Sequence, residues 1–397
     1  MPKAARQYDY SGSYTSYSGT LYPQNNVANF QGYYNSVHSV PNQTKKIRKP
    51  RKQKSLIHYL ISCSAILFML FCVMPYGFNH ITKAIFVPIP YKNIQTDLYD
   101  VAFPTANYIS NAWFMGHRSF RYAAGEKRAQ MEMLKENVNM PVLKTELENL
   151  ATQYPTIDPA VYVFDYETQN YVDINASEVF PTASIIKIPV LIDLFKSIEA
   201  GQISLDDKIP LTEYFRTEGS GDLQFMAENS LWDVDNLARI MITNSDNSAT
   251  NMLMAKIGSM TDVNQAIRSW GLSNTEVNAW LPDLSGNNHS TARDLATMLY
   301  NIDTNDKFLT EQSRIKMMNY MGHVHNDRLI QAGLGEGSIF LHKTGDIGTM
   351  LGDAGIVVAP NGKKYIVVIL AKRPHNSIAG KDFIVHASEI IYNYMVK

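Results

Sequence analysis

The stretch with most chemical content is FPTASIIKIPVLIDLF, residues 180–195, where Ser184 and Lys187 stand three positions apart in an otherwise apolar run. On a helix, positions i and i+3 share a face, so hydroxyl and amine are expected side by side. Burying a lysine is costly. The same burial lowers its pKa and leaves an amine able to accept a proton. A serine hydroxyl is a poor nucleophile at neutral pH until such a base lies within hydrogen-bond reach. The pair reads as a nucleophile and its base, against the plainer alternative of a helix-start serine and a snorkelling lysine.

S-x-x-K alone says little, since SRIK, from Ser313 to Lys316, fits the same pattern in what reads as a surface helix. The first pair gains weight from two triplets that each occur once: Ser245-Asp246-Asn247 and Lys343-Thr344-Gly345. Ser245-Asp246-Asn247 falls between two helical patterns, NLARIMIT and ATNMLMAKI, and Lys343-Thr344-Gly345 ends the strand-like run IFLHKTG. Ser245 has the chemistry to relay a proton between two lysines and a departing nitrogen. Asn247 can offer its amide to a substrate carbonyl or to Lys187. Lys343 adds a second cation that depresses Lys187 further and can receive a carboxylate. At a helix start, Ser184 also has its own N–H directed outward.

S-x-x-K, then S-D-N, then K-T-G resembles the motif set of class A β-lactamases and penicillin-binding proteins, a family of active-site serine hydrolases. The resemblance covers residues 141–397. It implies an α+β fold, class A β-lactamase-like, with an antiparallel sheet formed from both ends of the domain and an all-helical subdomain. It implies Ser184, Lys187 and Ser245 as catalytic residues, and Asn247, Lys343, Thr344 and Gly345 as substrate-binding ones. The oxyanion hole then comes from the backbone N–H groups of Ser184 and Asp346. No cofactor and no metal are expected. The substrate is expected to be a β-lactam or a peptidoglycan stem peptide ending in D-Ala-D-Ala.

One departure bears on function. Class A β-lactamases carry a glutamate, in a pattern like W-E-P-E-L-N, that holds the hydrolytic water. The matching stretch here is AWLPDLSGNN, residues 279–288, with Leu281 at the glutamate position and Ser285 at the asparagine position. A leucine can neither accept a proton nor orient water, and Asp283 is the nearby acid that could substitute. Acylation chemistry is kept while hydrolysis of the acyl-enzyme is in question. The pattern is closer to class A-like DD-peptidases, with an efficient β-lactamase, a catalytically weak peptidoglycan-binding or sensor domain, and an esterase as open alternatives.

The elements that position these residues begin far along the chain. Of 397 residues, 45% are hydrophobic, enough for a full-sized core. The net charge of -1 excludes a broad basic surface and hence nucleic acid as the main partner. Residues 1–54 form a Tyr-rich, disorder-type tail ending in the basic run KKIRKPRKQK. Residues 55–78, SLIHYLISCSAILFMLFCVMPYGF, contain no Asp, Glu, Lys or Arg and are long enough for a transmembrane signal anchor. The basic flank places the tail in the cytoplasm and the rest outside, at the plasma (inner) membrane. Both cysteines, Cys63 and Cys72, fall in that run, so the exported part has no thiol or disulfide. His323 and His325 read as a surface loop rather than a zinc site.

Residues 79–140 read as a juxtamembrane spacer with a helix in AAGEKRAQMEMLKENV. From 141 the pattern becomes helix, two alternating strands (AVYVFDYE, YVDINA), several helices, three strands and a closing amphipathic helix. Strands at both ends with helices between them predict one sheet joining the two ends. The loop GSGDLQF, residues 219–225, and Arg328 are the remaining features with possible cleft roles, read first as exposed loop and surface arginine.

Overall fold

Strand-forming runs from the two ends of the domain meet in one sheet. In the computed structural model, which describes residues 131–397, these are β1 (Asp158–Asp165), β2 (Tyr171–Ile174), β7 (Ile339–Ile347), β8 (Met350–Val358) and β9 (Lys364–Lys372). They pair antiparallel in the order β2-β1-β9-β8-β7, so the N-terminal hairpin inserts beside the last strand and β7 is an edge. Four strands of two or three residues make two small ladders: β3 (Phe180–Pro181) with β6 (His289–Ser290), and β4 (Lys208–Pro210) with β5 (Leu231–Asp233).

One face of the sheet is covered by α1 (Pro141–Gln153) and the C-terminal helix α8 (Ala379–Met395). Proline in the first turn suits α1, where its missing N–H is not needed. Its buried Leu143, Leu147 and Leu150 fall on one helical stripe. The other face carries the helices α2 (Lys187–Glu199), α3 (Val234–Thr243), α4 (Asn247–Ile257), α5 (Met260–Ser269), α6 (Ala292–Thr304) and α7 (Glu311–Met321). α2 runs through the middle of this layer and is buried almost all round, from Lys187 to Phe195. Burial on both sheet faces explains why β1 is not the alternating strand its sequence suggests, since only Asp158 is exposed.

The helix expected over residues 123–138 is absent from the part described, 131–138, which has no regular structure. Tertiary partners take up that backbone instead. Met131 is buried, Glu132 exchanges two hydrogen bonds with the Asn301 side chain, Asn137 bonds to Gln169 in the β1–β2 turn, and Val138 and Met140 bond to Tyr171 at the start of β2. Glu136 is held by Tyr162 and Arg293. The tail, the apolar run 55–78 and the spacer up to residue 130 lie outside the described residues. Among the described residues no helix is long and apolar enough to cross a membrane.

Candidate active site

Ser184 and Lys187 sit at the head of α2, but the serine is not on the α-helix itself. It lies in a 3-10 turn, Ala183–Ile186, that runs directly into α2. In a 3-10 turn side chains at i and i+3 eclipse, which brings Lys187 Nζ to 3.0 Å from Ser184 Oγ. Ala183, immediately before the serine, has φ of 45°, and Ser245 has φ of 58°. Left-handed backbone at residues other than glycine is strained and persists only where the surroundings impose it. Both strained residues flank the same amine.

Lys187 is fully buried and makes four polar contacts. Besides Ser184 Oγ, these are the Ser245 carbonyl at 2.6 Å, Ser245 Oγ at 3.0 Å and Asn247 Oδ1 at 2.9 Å. Burial drives its pKa well below the ordinary lysine value, and the neighbouring Lys343 charge pushes in the same direction. Lys343 is also fully buried, and its Nζ donates to Ser245 Oγ at 3.0 Å and to the Thr344 carbonyl at 2.9 Å. Burial pushes Lys343 down to about 7, against the opposing pull of Asp353. The Ser245 hydroxyl therefore bridges two lysines at equal distance.

The middle residue of the second triplet does structural work. Asp246 is the N-cap of α4, accepting from the Ala249 N–H at 2.8 Å, with its other oxygen taking the Leu223 N–H at 2.9 Å. A cap of this kind stabilises by about 1 kcal/mol, and here it also fixes the residues on either side. The loop 219–225 is more than solvent-exposed chain: a Cβ on Gly221, which has φ of 97°, would fall 2.2 Å from the Asp246 carboxylate. Asn247 Nδ2 donates to the Glu218 carbonyl at 3.1 Å, so the loop start closes against the site.

Lys343, Thr344 and Gly345 lie within β7 rather than at its end. Gly345 is required by a close approach: a Cβ there would lie 2.4 Å from the Thr182 carbonyl oxygen and 3.2 Å from the Ile185 nitrogen. The edge strand is thus pressed against the turn that carries Ser184, which brings Asp346 beside that turn. Thr344 is buried, whereas the Asp346 side chain is 58% exposed and ion-paired to Arg373.

In the loop 279–288, whose Asn288 carbonyl accepts from the Thr182 N–H at 2.9 Å, Leu281 is buried and apolar. Its backbone is clamped by the Asn251 side chain, which accepts from Leu281 N–H at 3.0 Å and donates to its carbonyl at 2.7 Å. Asp283 is also buried, and its two oxygens are engaged within the loop by Asn287 Nδ2 at 3.1 Å and the Asn288 N–H at 2.6 Å. Ser285 is exposed.

The decoy SRIK separates cleanly from this cluster. Ser313 is held by the α7 cap Thr310, and Lys316 pairs with Asp235. His323 and His325 lie on an exposed connection, and Arg328 is exposed. Two residues with a part in the site were missed in the sequence reading. Asn251 stands one helical turn after Asn247 on the same buried face of α4, a spacing that could have exposed it. Arg373 reaches Asp346 from the end of β9, and no local pattern marks it.

The beta-lactamase enzyme family matches this chain over residues 142–395. A structure of PBP-A is 34% identical, superposes with a TM-score of 0.64, and covers 66% of this chain and 98% of its own. The same values hold for a leucine-to-glutamate mutant of PBP-A in acyl-enzyme complex with penicillin G. A β-lactamase from Chitinophaga pinensis, 19% identical with a TM-score of 0.59, covers 64% of this chain and 99% of its own, a likeness of fold. By sequence match and by fold, the chain belongs to the beta-lactamase enzyme family and is a serine hydrolase.

Proposed function

We propose that this protein is a membrane-anchored, extracytoplasmic penicillin-binding enzyme that acylates Ser184 with D-Ala-D-Ala peptides or β-lactams and releases β-lactams slowly. The observation that carries the reading is one buried amine, Lys187, held between two serine hydroxyls, in a chain whose loop 279–288 has a leucine at the position of the family's hydrolytic base. As a neutral amine, Lys187 directs its two hydrogens to the acceptors it contacts, the Ser245 carbonyl and Asn247 Oδ1. Its lone pair then faces the Ser184 hydroxyl.

Ser184 Oγ attacks the substrate carbonyl as its proton passes to Lys187. The tetrahedral oxyanion is received by the backbone N–H groups of Ser184 and Asp346. Lys187 returns the proton through Ser245 Oγ to the leaving nitrogen, whose bond to the carbonyl carbon breaks. Lys343 supports that relay and, with Thr344, receives the substrate carboxylate. The second half-reaction needs a base for water, and the carboxylate nearest in sequence, Asp283, is occupied by its own loop. The family relationship, the PBP-A likeness and the basic run before an apolar segment support this reading. Labelling with a fluorescent penicillin, with adduct mapping by mass spectrometry, tests it. A persistent adduct on Ser184 is expected, and an adduct on any other residue rejects the assignment. Reporter fusions after residues 54 and 397 test the topology and should report opposite compartments.

A further inference from the structure

Asp346 puts a carboxylate where an anionic substrate should be least welcome. Alternation along β7 places its side chain on the same face as Thr344, and covalent geometry keeps that carboxylate within a few bonds of its own N–H. Both the oxyanion and a substrate carboxylate are to be received at this edge. Arg373 answers the charge. Its side chain is only 7% exposed, reaches from the end of β9 across the β7–β8 turn, and pairs with Asp346 Oδ1. The same guanidinium donates to the Ser377 carbonyl at 3.2 Å, and its backbone N–H donates to the Thr349 carbonyl at 2.9 Å, so it has a fixed seat. Although its side chain is 58% exposed, desolvation by the surrounding protein raises the Asp346 carboxyl above its ordinary range, while the Arg373 and Arg328 charges act in the opposite direction.

We propose that Arg373 is a positioning residue that holds and neutralises the Asp346 carboxylate, so that this edge of the cleft admits anionic acyl donors. The inference rests on the acyl-transfer reading above. It makes the Asp346–Arg373 pair a determinant of substrate charge, with Arg373 acting through Asp346 rather than by touching the reacting atoms. Like charges brought together at a binding surface strongly oppose association.

The test compares acylation of the full-length chain by penicillin G and by its methyl ester, which keeps the lactam but lacks the carboxylate. Arg373→Ala should slow acylation by penicillin G about tenfold or more, with a smaller loss for the ester. Adding Asp346→Asn should restore penicillin G acylation, and Arg373→Lys should retain it. If the double variant stays slow, or if ester and acid lose equally, the arginine is only a turn brace and the inference is wrong. Should Arg373→Ala not fold, Asp346→Asn alone decides. The ratio of penicillin G to ester acylation should rise, and an unchanged or lower ratio overturns the proposal. A wild type that penicillin never acylates at Ser184 rejects the underlying reading, whereas acylation without rescue rejects only this inference.

Discussion

The two sides of the site, the Ser184 cluster and the loop 279–288, are built to opposite standards. On one side, Ser184, Lys187, Ser245, Asn247 and Lys343 form a continuous set of polar contacts between 2.6 and 3.0 Å. Two residues there are held in left-handed backbone, and two lysines are stripped of water. On the other side, the loop 279–288 is just as firmly fixed, by Asn251 and by Asp283, yet presents a leucine. Rigidity alone therefore does not make a catalytic group. The first side spends its order on tuning an amine, and the second on holding a loop. An enzyme with this asymmetry is expected to acylate readily and deacylate slowly.

The largest effect should come from breaking the ordered side. Ser184→Ala should abolish covalent penicillin labelling with the fold intact, while Ser313→Ala in the decoy should change nothing. Lys187→Ala should lower the acylation rate about 10²–10⁴-fold, measured by stopped-flow or rapid quench. An equal effect from Lys316→Ala would mean that the wrong S-x-x-K has been chosen.

Sharpening the deficient side comes next. Leu281→Glu, with Ser285→Asn to support it, should speed decay of the penicilloyl-enzyme by about 10²–10⁴-fold at best. Acylation should change little, because its proposed proton path runs through Lys187 and Ser245. A mutant with unchanged decay and an intact fold would show that the loop side does not limit release.

A pH profile separates the two lysines. Lys187, depressed well below the ordinary range, supplies base once deprotonated, so acylation rises on the acid side. Lys343, at about 7, loses its cation above that pH, so acylation by an anionic penicillin should fall on the alkaline side. The fall should approach about tenfold per pH unit when the cation is required. It should be weaker for an uncharged acyl donor, and identical alkaline limbs for both would remove Lys343 from carboxylate binding.

The smallest catalytic effect is expected from Asp283→Asn, because that carboxylate serves the loop. Deacylation should stay within about threefold, while thermal unfolding reports a loss of about 1–3 kcal/mol from the buried bonds it breaks. A large fall in deacylation with unchanged stability would make Asp283 the missing base.

One short spacing of the ordered side was legible in the sequence, whereas the meeting of the two triplets with it was only what the family resemblance implied, since Ser245 lies 58 residues from Lys187 and 98 from Lys343. Ser184 and Lys187 meet through i and i+3, and the sheet behind them is marked by β-branched runs such as YIVVIL in β9. Even so, the 3-10 turn under Ser184 and the strained φ of Ser245 were not visible, since both are imposed by neighbours distant in sequence. Asn251 clamps a loop thirty residues away, and Arg373 reaches across a turn to Asp346. Contacts of that kind leave no periodic trace. The irregular course of residues 131–138 shows the same limit, because a helix-forming composition yields to Asn301 and the β2 edge.

The most direct measurement is a single-turnover time course of the full-length wild type with penicillin G, followed by intact-protein mass spectrometry. The account predicts rapid appearance of one penicilloyl adduct, mapped to Ser184, and decay at least about a hundredfold slower than formation, the increment a missing general base removes. Turnover of the β-lactam many times per second, with no adduct accumulating, would contradict it.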